Sequence, residues 1–257
     1  MSSVKSVYHS LVRNESHRQF VRKTVHRFFE MINDPVPEGR ENIAAGGNYA
    51  PWLNDGDFMR TYESIRNNTL VDKYRLYELW QLVGEVSRTV DGALLEVGSW
   101  RGGSGAIMAE KARLCGISES VYLCDTFTGV VKASDKDNLY TGNEHADASV
   151  EDVEQLASDL KLDKIKILKG IFPEETSNLI EEASIRFCHI DVDVYQSTRD
   201  VIDWVWDRMP VGGVIVYDDY GAETTQGVTL AVDEERNKPG RVVIYNLNGH
   251  AVEIKTA

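Results

Sequence analysis

LLEVGSWRGGSG, residues 94–105, passes from an apolar run through a glycine-rich turn into sequence suited to a helix. Glycine permits a tight turn and close approach of a ligand to the backbone, and the free N–H groups opening the next helix face a bound anion. Outward from this segment, short apolar runs alternate with helical sequence. Leu94–Val97, Val121–Asp125, Ile165–Leu168, Arg186–Asp191 and Val214–Asp218 read as strands, each followed by a helix. That alternation predicts an α/β fold with a doubly wound, mostly parallel sheet and ligands at the carboxyl ends of its strands. The closing stretch RVVIYNLNGHAVEIKT (241–256) holds two alternating runs around Asn248-Gly249, so an antiparallel hairpin is expected at the end.

The 257 residues, 42% of them hydrophobic, suffice for one sizeable core. Residues 7–32 carry Val7, Leu11, Phe20, Val21, Val25, Phe28, Phe29 and Ile32 at helical spacing, 34–57 read as loop, and 71–89 as a second helix. The expected division is a helical and loop extension over 1–70 and the main domain over 71–257. No apolar run has the roughly 18 residues of a membrane span and no secretory leader is visible, which predicts a cytoplasmic protein with no membrane partner. A net charge of -13 argues against general nucleic-acid affinity. Lys5, Arg13, Arg18, Arg22, Lys23 and Arg27 against Glu15 and Glu30 make residues 1–30 basic, as in a helix docked on an acidic body or a neighbouring subunit. Of the three cysteines, Cys124 and Cys188 read as small core residues and Cys115 as an ordinary helix residue; no disulfide framework is indicated.

A dinucleotide fingerprint needs G-x-G-x-x-G. Gly98, Gly102, Gly103 and Gly105 do not fit that frame, and Glu96 would set a carboxylate beside a pyrophosphate. A carboxylate suits S-adenosylmethionine better, because its methionyl part carries an ammonium and its sulfur is cationic. Asp125, ending the next strand, is placed to accept from the ribose hydroxyls. The long polar stretch after it, TFTGVVKASDKDNLYTGNEHADA (126–148), is a candidate lid.

HIDVDVYQST (189–198) leaves an apolar strand and enters a helix. Residues two apart on a strand share a face, which would project Asp191 and Asp193 together about 7 Å apart. The next strand ends in Asp218-Asp219, so three or four carboxylates meet at one edge. Such an oxygen-only set suits a hard cation such as Mg2+.

ExGxxxGGS, the strand end with Asp125, HIDVDVYQST and GGVIVYDDY, in this order, resemble the macrocin O-methyltransferase (TylF) family over about residues 93–235. The resemblance implies the class I methyltransferase (Rossmann-like) fold and metal- and S-adenosylmethionine-dependent methylation of a sugar hydroxyl in antibiotic biosynthesis. Its acceptors are deoxysugars methylated at the 3-hydroxyl, here a rhamnose-like sugar, nucleotide-activated or already on a glycoside. It makes Asp191, Asp218 and Asp219 the metal ligands and Glu96, Gly98, Ser104 and Asp125 cofactor contacts. Ser99 and Trp100 in the turn and Ser149 at the helix after the lid join these contacts. Homo-oligomers are also expected from the family. Some relatives place a basic histidine where this chain has Val194; Asp193 is then the expected base, with a role as fourth ligand or ligand-orienting group left open. His145 in the lid and His189 in a strand are the histidines weighed beside it, the latter as a core residue. A metal-dependent methyltransferase of catechol-type phenols is the alternative.

Overall fold

All five apolar runs of the central region are strands in the computed structural model, which describes residues 39, 40, 43 and 47–257. The helix expected over 7–32, with its basic side chains, lies outside the described residues. The chain divides into two compact units, Met1–Gly47 and Asn48–Ala257, and the sheet belongs to the second. Strands β1 (Ala93–Val97), β2 (Val121–Asp125), β3 (Ile165–Lys169), β4 (Ile185–Ile190) and β5 (Val214–Tyr217) run parallel. β6 (Arg241–Tyr245) and β7 (Ala251–Lys255) form the expected antiparallel hairpin, and β7 pairs with β5 to give the order β3-β2-β1-β4-β5-β7-β6. The seven-stranded sheet with an antiparallel end matches the doubly wound class I architecture expected from the resemblance.

Side-chain alternation along the strands divides the core into two layers. Leu94, Leu123, Phe187 and Val214 meet α1 (Gly56–Ile65), α2 (Lys73–Val86), α3 (Gly103–Leu114) and α4 (Val150–Leu160) through Phe58, Trp80, Ile107 and Val153. Their neighbours Leu95, Tyr122, Cys188 and Ile215 meet α5 (Tyr195–Trp206) and α6 (Gln226–Asp233) through Val201, Val205 and Val232. Each fully buried side chain of this size contributes about 1.5–3 kcal/mol, so strand register is strongly fixed. Cys124 and Cys188 are buried and Cys115 exposed, all three as free thiols. Asp72 caps α2 by accepting from the backbone N–H groups of Tyr74 and Arg75, which starts that helix within two residues of the expected position. Among the described residues, no helix is long and apolar enough to cross a membrane.

Candidate active site

The strand order reverses between β1 and β4, and a crevice opens at their carboxyl ends. The cavity there is lined by Gly98, Ser99, Trp100 and Ser104 after β1, Asp125 ending β2, Asp191 and Asp193 after β4, and Asp218 and Asp219 after β5. Four separate segments of the sequence thus converge on one space.

The turn after β1 is set by contact with β4. Gly98 has φ +90°, and a Cβ on it would lie 1.7 Å from the carbonyl oxygen of Asp191. Only glycine permits this approach. Gly102, the N-cap of α3, has no side chain to satisfy the helix's first N–H groups; the Gly103 N–H donates to the Asn68 carbonyl at 3.0 Å, and Ser104, next in that turn, lines the cavity where an anion such as a methionyl carboxylate would sit. Asp125 accepts from the Trp100 N–H at 2.8 Å and the Phe127 N–H at 2.7 Å. These bonds orient its carboxylate and retain lone pairs for further donors. Burial nevertheless outweighs them and raises the Asp125 pKa.

Two expected cofactor contacts lie elsewhere. Glu96 is fully buried, does not line the cavity, and accepts from His189 Nδ1 at 2.9 Å. Ser149 is the N-cap of α4, where its hydroxyl and Asp152 form a reciprocal capping box away from the cavity lining.

The acidic residues are arranged differently from the strand-face expectation. β4 ends at Ile190, so Asp191 and Asp193 sit in the following loop, and Asp193 has a left-handed backbone with φ +64°. The loop folds back: carboxylate oxygens of Asp191, Asp193 and Asp219 all lie within 4.8 Å of one another. Burial, then the charges of Asp218, Asp193 and Asp219, push Asp191 well above the usual carboxylate range. Burial and then Asp219 push Asp193 up to about 6. Three crowded carboxylates with raised affinity for protons are suited to a cation.

Asp218 has a different environment. Arg75 Nη1 donates to its Oδ1 at 2.7 Å and to Asp219 Oδ1 at 2.8 Å, while His250 Nε2 lies 2.6 Å from the same Asp218 oxygen. Burial opposes ionisation, but His250 and then Arg75 prevail and hold Asp218 down to about 2. Arg75 and His250 were not singled out in the sequence. Arg75 is 143 residues from Asp218 along the chain, and its one local sign is Asp72, which pairs with its Nε at 2.8 Å. His250 follows the recognised hairpin turn, where a histidine reads as an ordinary strand residue.

The lid is docked onto the body. Asp137 Oδ1 accepts from the Tyr195 N–H at 2.8 Å, capping α5, whose N-cap Val194 has no polar side chain. Lys132 joins Glu174 and Asp200, each at 2.6 Å. Tyr140 and His145 reach the cavity from this lid, with the Tyr140 hydroxyl 3.4 Å from His145 Nε2. Burial and then the charge of Asp193 raise the phenol's pKa, so Tyr140 keeps its proton beside the acidic cluster.

The sequence profile described as Macrocin-O-methyltransferase (TylF) matches residues 63–243. The chain is 30% identical over 190 residues to the mycinamicin III 3''-O-methyltransferase of Micromonospora griseorubida, covering 67% of this chain and 72% of that protein. It is 27% identical over 192 residues to the 8-demethyl-8-(2,3-dimethoxy-alpha-L-rhamnosyl)-tetracenomycin-C 4'-O-methyltransferase of Streptomyces olivaceus, covering 70% and 72%. Among solved structures, the O-methyltransferase NovP superposes with a TM-score of 0.65 at 25% identity, covering 74% of this chain and 83% of NovP.

Proposed function

Because the chain belongs to the macrocin O-methyltransferase (TylF) family of S-adenosylmethionine-dependent enzymes, we propose that it methylates a deoxysugar hydroxyl with the aid of a divalent cation. The acceptor on this reading is the 3-hydroxyl of a rhamnose-like sugar, carried by a nucleotide or by a glycosylated natural product. The observation that carries the reading is the convergence of Asp191, Asp193 and Asp219 in the cavity that also holds the glycine turn and Asp125.

S-adenosylmethionine supplies the methyl group, and a cation such as Mg2+ lowers the pKa of the acceptor hydroxyl. Asp191, Asp218 and Asp219 are the proposed cation ligands. The first turn of α3, with Gly98, Ser99 and Ser104, binds the methionyl end, Trp100 flanks it, and Asp125 accepts from the ribose hydroxyls. Asp193 takes the acceptor's proton: beside a bound cation it would be ionised and only weakly basic, which is enough for a hydroxyl whose pKa that cation has already lowered. The docked lid excludes water from the reacting atoms. Glu96 holds the buried His189 ring at Nδ1.

An acceptor panel tests the substrate class. Labelled S-adenosylmethionine is offered with a nucleotide-activated rhamnose, a rhamnosylated aglycone and a catechol. Label entering a sugar hydroxyl supports the proposal, whereas transfer to the catechol alone refutes it in favour of the phenol-methylating alternative. In the same assay, charge reversal at Arg18 and Arg22 tests whether the basic N-terminal segment binds a diphosphate; an unchanged KM for the nucleotide sugar assigns it a structural role.

A further inference from the structure

We infer that His250 and Glu78 are a buried positioning pair that fixes the Asp218 carboxylate as a cation ligand, an inference that rests on the metal-dependent reading of the site. The register of the sheet sets their place. Tyr217 in β5 pairs with Ala251 in β7, so the residues just outside that pair, Asp218 and His250, are neighbours across the strands. The ring of His250 is fully buried between two carboxylates: Nε2 is 2.6 Å from Asp218 Oδ1, and Nδ1 is 2.7 Å from Glu78 Oε2. The two ring nitrogens thus face one carboxylate each, which fixes the plane of the imidazole between α2 and Asp218.

Glu78 is held in turn. The side-chain amides of Asn246 and Asn248, the latter at 3.0 Å, donate to its two oxygens, and Asn248 Oδ1 accepts from the His250 N–H at 3.0 Å. The hairpin loop therefore contributes three side chains to one polar chain that runs from α2 through His250 to Asp218.

Arg75 touches the same Asp218 oxygen, but it lines the cavity and spans Asp218 and Asp219, so it is a partner that an entering cation meets. His250 does not line the cavity and meets Asp218 from the β7 side. It can hold the carboxylate whether or not the front face is engaged. Groups that hold a ligand in this manner typically change metal affinity by about 10–100-fold when removed.

The competing role for the pair is a staple joining the hairpin to α2. A staple affects stability and leaves cation affinity unchanged in the folded protein. Full-length wild type and the His250→Leu, His250→Gln and Glu78→Gln variants are titrated with Mn2+, read by loss of the free-ion paramagnetic resonance signal. The S-adenosylmethionine dissociation constant and far-ultraviolet circular dichroism are measured alongside. His250→Leu should bind Mn2+ about tenfold or more weakly with cofactor affinity unchanged. His250→Gln, which can still donate an amide N–H to Asp218, should recover most of the loss. Glu78→Gln should weaken binding by several-fold, and decides the matter if the leucine variant does not fold.

Wild-type Mn2+ affinity in folded His250→Leu or in Glu78→Gln overturns the inference. So does a glutamine variant that is folded yet no better than leucine. A wild-type protein that binds no Mn2+ overturns the metal-dependent reading as well, which separates the two failures.

Discussion

Asp193→Asn should stabilise the cation-free protein at alkaline pH. Burial and then Asp219 push Asp193 up to about 6, against about 3.9 for an unperturbed aspartate. Keeping this carboxylate ionised in the fold therefore costs at most about 3 kcal/mol, less where cavity water screens it. The sign follows from the direction of the shift. With the folded value above the unfolded one, the stability contribution is fully present below about pH 4 and is lost as pH rises through about 6. Asparagine removes the charge and tolerates the φ of +64° at this position. For a chain of this size, about 3 kcal/mol corresponds to roughly 6–12 °C in melting temperature. Melting curves in chelator should thus place the variant up to that far above wild type at pH 8 and close to it at pH 4. Saturating Mg2+ should narrow the gap at pH 8 by neutralising the cluster. Equal melting temperatures at pH 8, or the same pH-dependent fall in both proteins, would show that the Asp193 charge does not destabilise the fold.

Three further substitutions probe the other parts of the site. Asp125→Ala should weaken S-adenosylmethionine binding by about tenfold or more, measured calorimetrically, because charged acceptors for two hydroxyls are lost. Asp137→Ala removes the cap that the lid supplies to α5, worth about 1 kcal/mol, and should raise the KM for the acceptor and speed proteolysis within 126–148. Tyr140→Phe removes the hydroxyl that the lid presents to the acidic cluster and should lower kcat by several-fold while leaving cofactor affinity unchanged, as read by single-turnover kinetics and cofactor titration.

Features of the fold carried by local periodicity were legible in the sequence. Apolar runs of strand length between helical segments located all five parallel strands to within about two residues. Asn248-Gly249 marked the hairpin, although its loop spans residues 246–250 between the strands rather than two residues. The site was legible where the residues follow strand ends: the glycine turn, Asp125 and the aspartates all reach the cavity. What escaped was contact between distant segments. Arg75, Glu78 and His250 come together only through the packing of α2 against the sheet and the insertion of β7 beside β5. The even spacing of Asp191 and Asp193 implied a shared strand face, but the strand stops at Ile190 and the left-handed Asp193 brings the carboxylates together by a turn. Ser149 followed by Asp152 is a capping-box pattern that the sequence already displays, and the structure uses it so.

Methyl transfer by this chain is proposed to depend on a cation held at the acidic edge of the sheet. The most direct measurement is turnover of labelled S-adenosylmethionine with a rhamnosyl acceptor after exhaustive chelation, followed by return of Mg2+, with the methylated position located by nuclear magnetic resonance. Activity should fall by about a hundredfold or more in chelator and return with Mg2+, with the new methyl ether on a sugar hydroxyl. Undiminished transfer by the fully chelated enzyme would contradict that dependence.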